Sequence, residues 1–519
     1  MAKVAADIRL SLHHLLEVPN IFTTSSSQSS LVYFIFPVLL VAVTTIILTW
    51  RIVANGMTDA KRPRPPPGKL ALPIIGFGDT MKFMAAFSRR ETSEYVAQKI
   101  KECGSPVFKT TILGRTTVFL DAPDGVKLLT SATDDILIKN SVPASFQRLL
   151  SKGWMNYRGQ EFKALKNHAS DHFFGLDILQ RYLPIVERNV VEQIGRSWMG
   201  QEDGAVIESH SNIKTLLLGV IAELCLGLTD STEIGKLKPL FEIFSQGMFV
   251  VPVNLPGFQF YRSLQADKQI IRFLKQQITR RRKELKEGRA SPSQDFLSVL
   301  LTVPTKDGYY YKDEEIVGNL KTLLWAGYDT SATTVTLALR YVAKDQKVYE
   351  QLIQEHSAIA RSKQDNKCLT WEDLRSMKYS WRVILETMRV TPVIASIMRE
   401  ANNDFEYKGF TIKKGWKVWC TSAQSSQNPD LIDNPDVFDP SRFEQPGVGV
   451  PRYTYFPFGM GYRQCPGMEL GKMVILVTLH HFLKNFKWSL VNPEAKILYA
   501  VLPYFDGGSL IRISKGEYF

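Results

Sequence analysis

The apolar residues of this chain fall into stretches of different period. Leu31 to Trp50 carries twenty positions without a charge. At helical rise such a run spans about 30 Å, the thickness of one hydrocarbon core, and predicts a transmembrane helix. Core helices are rarely so uniformly apolar, and the run is too long and begins too late for a cleaved signal peptide. Pro106 to Asp121 alternates, is rich in Val, Thr and Phe, and has Gly114-Arg115 at its middle, which predicts a hairpin. From Asp124 to about residue 390 the period is helical. Within it, Glu315 to Val342 reads as one long helix and Met377 to Val390 as a shorter one, whereas Asn140 to Tyr157 is irregular and apolar. Met468 to Phe486 is a further apolar helical run. After Leu483 the pattern returns to strands, with Pro503 to Gly508 as a turn between two of them. No internal repeat is visible. The pattern predicts a mainly α body with small β-sheets (α+β), preceded by one N-terminal transmembrane helix. The boundaries are a polar segment at 1–30, the anchor at 31–50, a basic and proline-rich linker at 51–76 and the catalytic body at 77–519.

Composition changes this picture little and charge changes it more. Of 519 residues, 45% are apolar and 22% charged, as in ordinary globular proteins. The net charge of +13 asks for an acidic or membrane-surface partner. No basic cluster carries interleaved aromatics, which argues against nucleic acid. Lys275 to Arg289 reads as a solvated helix face, and Lys61 to Lys69 as a membrane-proximal linker stiffened by consecutive prolines. Lys3 and Arg9, offset by Asp7 and Glu17, precede the apolar run, while Arg51, Lys61, Arg62, Arg64 and Lys69 follow it. That asymmetry places everything after the run on the cytoplasmic side. The five cysteines are odd in number, irregularly spaced and show no zinc pattern, which suggests a reducing compartment.

Two segments carry chemistry. In Phe458-Gly-Met-Gly461-Tyr-Arg463-Gln-Cys465-Pro-Gly467, the glycines let the backbone approach a bulky flat ligand. Pro466 suits a first helical residue, so Cys465 falls at a helix N-terminus, where the dipole and free N–H groups favour a thiolate. A thiolate in such a loop is one way to hold haem iron. A lone cysteine is otherwise most often a small buried hydrophobe. The spacing F-x-x-G-x-R-x-C-x-G, however, arises by chance in roughly one in several thousand chains of this length or fewer. The second segment is Ala326-Gly327-Tyr-Asp329-Thr330-Ser331. A mid-helix glycine costs about 1 kcal/mol relative to alanine. It makes sense if something lies flush against that face or if the helix opens locally, and a helical threonine bonding back one turn adds a bend. Alone, the segment reads equally well as a helix crossing with a surface aspartate.

The decapeptide resembles the haem-binding loop of the cytochrome P-450 family, and the resemblance covers nearly the whole chain. It implies the P-450 fold and heme b, with Cys465 as the metal ligand and Phe458, Gly461 and Gly467 around it. It implies that Asp329 and Thr330 are the family's acid–alcohol pair, with Ala326 and Gly327 beside the cofactor. Thr330 would hold a water, and Asp329 would relay protons from solvent for cleavage of O2. Arg399 and Arg463 match arginines that bind haem propionates through their forks. Phe162 and Lys166 stand where many members have a tryptophan and an arginine, so Lys166 would meet a propionate as a point charge. Glu386 and Arg389, three apart on one helix face, would join Arg442 in a buried structural cluster. The segment from Asn140 to Tyr157 would cover the substrate pocket. Phe146, Leu149, Trp325, Val393, Ile394 and Ile397 would line that pocket, with Tyr504 and Phe505 at a turn tip entering it. One proline, Pro392, stands where many relatives have two.

The implied activity is that of a microsomal monooxygenase, single-pass in the endoplasmic reticulum membrane with a cytoplasmic catalytic domain. Its electrons would come from NADPH through cytochrome P-450 reductase, with cytochrome b5 as a further donor. No nucleotide-binding glycine loop follows a strand in this chain, so the reductase is separate. The uncharged candidate pocket suggests a large lipophilic substrate. The Pro66–Gly76, Phe405–Trp416 and Leu479–Trp488 stretches look like the plant clan that oxidises sterols, triterpenes and taxane-type diterpenes. Three alternatives stand beside this reading: an isomerase or dehydratase acting on a lipid hydroperoxide, a haem-binding protein without turnover, and a tethered helical protein with no cofactor.

Overall fold

The longest helix is dictated by its own ends and middle. Residues Asp313–Lys344 open with three acidic side chains and close with Lys344, matching the helix dipole. Glu315 accepts the Lys312 N–H at 2.9 Å, satisfying one of the free donors of the first turn. Between the ends nearly every position is buried, so the helix runs through the centre of the body. At 1.5 Å per residue its 32 residues extend about 48 Å.

The computed structural model describes residues 64–68, 77–89, 91–131, 138–362, 368–500 and 502–516. The predicted transmembrane run at 31–50 and most of the linker lie outside the described residues. Among the described residues no single helix is long and apolar enough to cross a membrane. Residues Pro65–Phe519 form one compact unit.

In chain order the helices are α1 (Phe77–Arg89), α2 (Thr92–Cys103), α3 (Asp124–Ser131), α4 (Ala144–Leu149), α5 (Gly159–His172), α6 (Leu176–Ile194), α7 (Ser209–Leu226) and α8 (Ser231–Gln246). They continue as α9 (Gln259–Lys286), α10 (Phe296–Thr302), α11 (Asp313–Lys344), α12 (Gln346–Arg361), α13 (Trp371–Ser376), α14 (Lys378–Val390) and α15 (Met468–Asn485). Thus α11 and α14 match the predicted helices to within two residues at each end. On one side of α11 lies α7, an apolar helix capped by Glu208, which accepts the Ser211 N–H at 2.5 Å. On another lies α15, buried on nearly all faces.

The strands are few and short. β1 (Phe108–Ile112) and β2 (Arg115–Phe119) form the predicted hairpin, with Phe108 opposite Phe119. They belong to a five-stranded sheet, order β1-β2-β8-β5-β3, with β3 (Ile138–Asn140), β5 (Ser396–Ala401) and β8 (Lys417–Thr421). β6 (Phe405–Tyr407) and β7 (Phe410–Ile412) form a hairpin of their own. β4 (Val206–Glu208), β9 (Phe486–Leu490) and β12 (Leu510–Lys515) make a three-stranded sheet, and β10 (Ile497–Tyr499) pairs with β11 (Pro503–Phe505). So Pro503–Phe505 is a strand rather than a turn, and the turn proper is Asp506–Gly508. Gly507 and Gly508 there adopt positive φ, which costs glycine little.

The buried residues form one large cluster among the helices, one beneath the five-stranded sheet, and an aromatic one joining α1 and α2 to β1 and β2. In the last, Phe83, Tyr95, Phe108 and Phe119 are packed against Trp419.

Candidate active site

The cysteine loop is held by its own backbone. The Cys465 N–H donates to the Phe458 carbonyl at 2.7 Å, and Gln464 N–H to Gly461 O at 3.1 Å. Gly461 has φ 67°, and a Cβ there would stand 2.0 Å from the Thr130 carbonyl oxygen at the end of α3. Only glycine meets both demands. Helix α15 begins at Met468 rather than at Pro466, because Gly467 (φ −89°, ψ 17°) takes the N-cap position. The Gly467 N–H reaches the Cys465 sulfur. Cys465 is open to solvent on one side although protein crowds it on the others, as in a deep hollow. That crowding raises the thiol pKa above its ordinary value, while the Gly467 N–H and the Lys166 ammonium oppose the rise. None of the five cysteines is in a disulfide.

Helix α11 passes over the start of α15: a side chain on Gly471 would begin 3.8 Å from the Ser331 hydroxyl. The neighbouring Thr330 donates its hydroxyl proton to the Ala326 carbonyl at 2.7 Å. Asp329 is buried, not on the surface. Its Oδ1 lies 2.7 Å from Lys214 Nζ on α7, and its Oδ2 accepts from Ser245 Oγ on α8 at 3.4 Å. Ser245 Oγ in turn accepts the Trp325 indole N–H at 2.7 Å. Close by, His210 Nδ1 meets Thr336 Oγ1 at 3.1 Å, and burial beside Lys214 and Lys238 pushes His210 down to about 3.

A Cβ on Gly327 would meet Ile221 Cδ1 of α7 at 3.0 Å. Its smallness therefore serves the crossing of α7 and α11, while Ala326, half-buried, is its neighbour.

Arg463 and Lys166 gather where the start of α5 meets the cysteine loop. The Arg463 guanidinium lies 3.7 Å from the Phe162 ring centroid and donates to Tyr157 O at 2.7 Å. Lys166 Nζ donates to Tyr462 O at 2.9 Å, and burial with the nearby Arg463 lowers its pKa. Arg399, on β5, donates to Asn140 Oδ1 at 3.2 Å and to Met398 O at 3.0 Å. Phe162, in the place of the family's tryptophan, packs edge-on to Trp154 and supplies the face under Arg463.

Glu386, Arg389 and Arg442 do come together. Glu386 accepts from Arg389 Nε and Nη2 at 2.7 Å each, and Arg442 Nε stands 3.4 Å from Glu386 Oε1. Arg389 also caps the Ser426, Pro435 and Val437 carbonyls. Both Glu386 and Arg389 are fully buried.

The expected pocket residues divide. Phe146 packs edge-on to Trp325, and Val393 and Ile397 are buried nearby in sequence, whereas Ile394 is exposed. Leu149 is 0% exposed, with a methyl facing Gly247. Tyr504 and Phe505 point to opposite faces of β11, because adjacent strand residues alternate. Phe505 is buried under the Arg340 guanidinium, and Tyr504 is exposed. Lys214 and Ser245 were not foreseen. No local signal marks either residue, because each is defined by a partner on another helix.

The residues fit a haem held through sulfur. The donor set is a thiol reached by a helix-start N–H with a cation beside it, and the Phe458 carbonyl holds the Cys465 N–H. The chain belongs to the cytochrome P450 family, whose description matches residues 65–500. It is 34% identical over 439 residues to the taxane 13-alpha-hydroxylase of Taxus cuspidata, covering 84% of this chain and 89% of that one. It is 31% identical over 475 residues to the beta-amyrin 28-monooxygenase CYP716A378 of Saponaria officinalis, covering 91% and 96%. A solved structure, retinoic acid-bound cyanobacterial CYP120A1, superposes with a TM-score of 0.76 at 23% identity, over 88% of this chain and all of that one. The protein is thus an oxidoreductase of the P450 monooxygenase type. It uses haem-thiolate iron, O2 and electrons derived from NADPH through a redox partner.

Proposed function

We propose that this chain is a membrane-anchored hydroxylase that inserts one oxygen atom from O2 into a C–H bond of a polycyclic terpenoid or sterol. Two relatives are named for taxane and beta-amyrin oxidation, and the candidate lining residues Phe146, Trp325, Ala326, Val393 and Ile397 carry no charge. The charge-free run at 31–50 and the basic residues after it support a single-pass anchor in the endoplasmic reticulum with a cytoplasmic body. Electrons would come through cytochrome P-450 reductase, with cytochrome b5 as a further donor.

Heme b, bound through Cys465, supplies the activation of O2. The chain's residues supply the rest. The Gly467 N–H and Lys166 favour the thiolate over the thiol. Arg463 and Arg399, with Lys166, would hold the propionate carboxylates. Thr330 has spent its own proton on Ala326 O, so its oxygen is left to accept a hydrogen bond and orient a water. Asp329, ion-paired with Lys214 inside the protein, would relay protons toward Thr330.

The observation that carries this reading is the buried, lysine-paired Asp329 beside Thr330, on a helix that crosses the start of the Cys465 helix. An enzyme that rearranges hydroperoxides needs no such relay. The test uses the haem-loaded full chain in membranes. Beta-amyrin, a sterol and a taxane are titrated while the Soret band is followed, and then NADPH and reductase are added. A low-spin to high-spin shift with one scaffold, followed by its hydroxylated product, is the expected result. Product formation only from a fatty-acid hydroperoxide, without NADPH, would refute the proposal.

A further inference from the structure

Lys321 is a charged side chain with almost no contact with water, and the mechanism above gives it no task. It is 2% exposed. Its Nζ donates to Asp267 Oδ1 on α9 at 2.6 Å and to the Leu149 carbonyl at 2.6 Å, and lies 5.5 Å from the Phe244 ring of α8. Leu149 is the last residue of α4. Its carbonyl is one of the C-terminal acceptors a helix cannot satisfy internally, at the negative end of the dipole. The next carbonyl, Leu150 O, takes the Asn156 amide at 2.7 Å.

The chain just beyond α4 is pressed against α11. A Cβ on Gly153 would lie 2.6 Å from Gly318 O, and one on Gly318 would lie 2.3 Å from Lys152 O. The other end of α4 is tied by Ser145 Oγ to Met248 O at 2.7 Å. Between these ties, Phe146 projects onto Trp325, with ring centroids 5.6 Å apart. Lys321 and Trp325 are one turn apart on α11. One ammonium therefore joins the helix that carries Asp329 and Thr330, the helix α9, and the short helix that carries Phe146.

We propose that Lys321 is a positioning residue that pins α4 to α9 and α11, and so fixes Phe146 as a rigid wall that sets the size and shape of substrate admitted. This rests on the reading of Phe146 and Trp325 as pocket residues. A wall held by a buried ion pair and a backbone-to-backbone contact adapts little. It suits a rigid fused-ring skeleton better than a flexible chain, because a preorganised surface gains most from a ligand that also loses little freedom.

The experiment compares the haem-loaded full chain with Lys321→Met and with Lys321→Met/Asp267→Asn. The second variant removes both charges, so no carboxylate is left unpaired if the first folds poorly. Two readouts avoid any assumption about the natural substrate. Amide hydrogen exchange over 144–156 is expected to speed up at least tenfold in the double variant, with 378–390 and 468–485 unchanged. Spectral dissociation constants are measured for imidazole and for a trityl-substituted imidazole. The ratio between bulky and small probe is expected to change about tenfold, with imidazole itself unaffected. Unchanged exchange over 144–156 would overturn the pin, and an unchanged probe ratio would overturn its role in admission. If beta-amyrin, a sterol and a taxane all leave the parent spectrum unmoved, the substrate class proposed above fails, and the two readouts still decide the role of Lys321.

Discussion

At the residue scale, the partner of Asp329 decides what that carboxylate can do. A buried carboxylate is costly unless a charged partner compensates it. Lys214 supplies that partner from the neighbouring helix at 2.7 Å. Asp329→Asn should therefore slow product formation about 100-fold and leave the reduced, CO-bound spectrum unchanged. Product assay and spectrum on the same sample check this, and a full rate in the variant would remove Asp329 from the proton route. Thr330→Ala should keep NADPH consumption within about twofold while diverting most electrons to peroxide or water, read as the ratio of product to NADPH consumed. Cys465, Asp329, Thr330 and the Glu386–Arg389 pair were legible because each sits in a short run of characteristic residues. Lys214, Ser245 and Trp154 were not. Their meaning lies in a partner remote in the chain, and a single lysine in α7 or a single serine in α8 carries no local mark of it.

At the element scale, a helix crossing accounts for a glycine that helix propensity disfavours. Gly327 sits in a helix interior that favours alanine by about 1 kcal/mol, yet its open face belongs to Ile221. Gly327→Ala/Ile221→Val should accordingly be more stable than Gly327→Ala alone by about 1 kcal/mol, measured by denaturant unfolding, with the same haem spectrum in both. A spectrum altered by Gly327→Ala at unchanged stability would return the glycine to the cofactor side. The cluster of Glu386, Arg389 and Arg442 fastens α14 to the segment before Phe443. Arg389→Met leaves the buried Glu386 carboxylate with only Arg442 at 3.4 Å as a cationic partner, so it should cost about 3 kcal/mol and release haem, seen as a lower midpoint and a lost Soret band. The long helices, the β1–β2 hairpin and the apolar run of α15 were readable from period and turn residues. The Pro503–Phe505 strand was not, because three residues are too short to show a period and the neighbouring glycines favoured a turn.

At the scale of the whole molecule, buried histidines set the response to acid. His356 is fully buried between His480 (2.9 Å) and Ser380 (2.8 Å), and burial together with His481 pushes it down to about 3. His168 is pushed down to about 4 by burial, then by His172. Both stay neutral in the fold and charge in the unfolded chain below about pH 6.5. The unfolded state then binds more protons, so stability falls as pH drops from about 6.5 toward 4, by about 1.4 kcal/mol per pH unit for each histidine. Unfolding midpoints of the haem-loaded chain between pH 7 and 5 should show this slope, and because His210 is held down in the same way, His356→Gln should remove about a third of it. A slope unchanged by that substitution would mean that other groups govern the loss. The paired glycines 153 and 318 carry a consequence for anyone reshaping this enzyme by directed evolution. Their contact is between main chains, so it survives any side-chain choice at neighbouring positions. A library that randomises positions 146 and 147 but spares 153 and 318 keeps the path of the covering loop while changing its inner surface. One that includes either glycine spends most of its members on chains that cannot close.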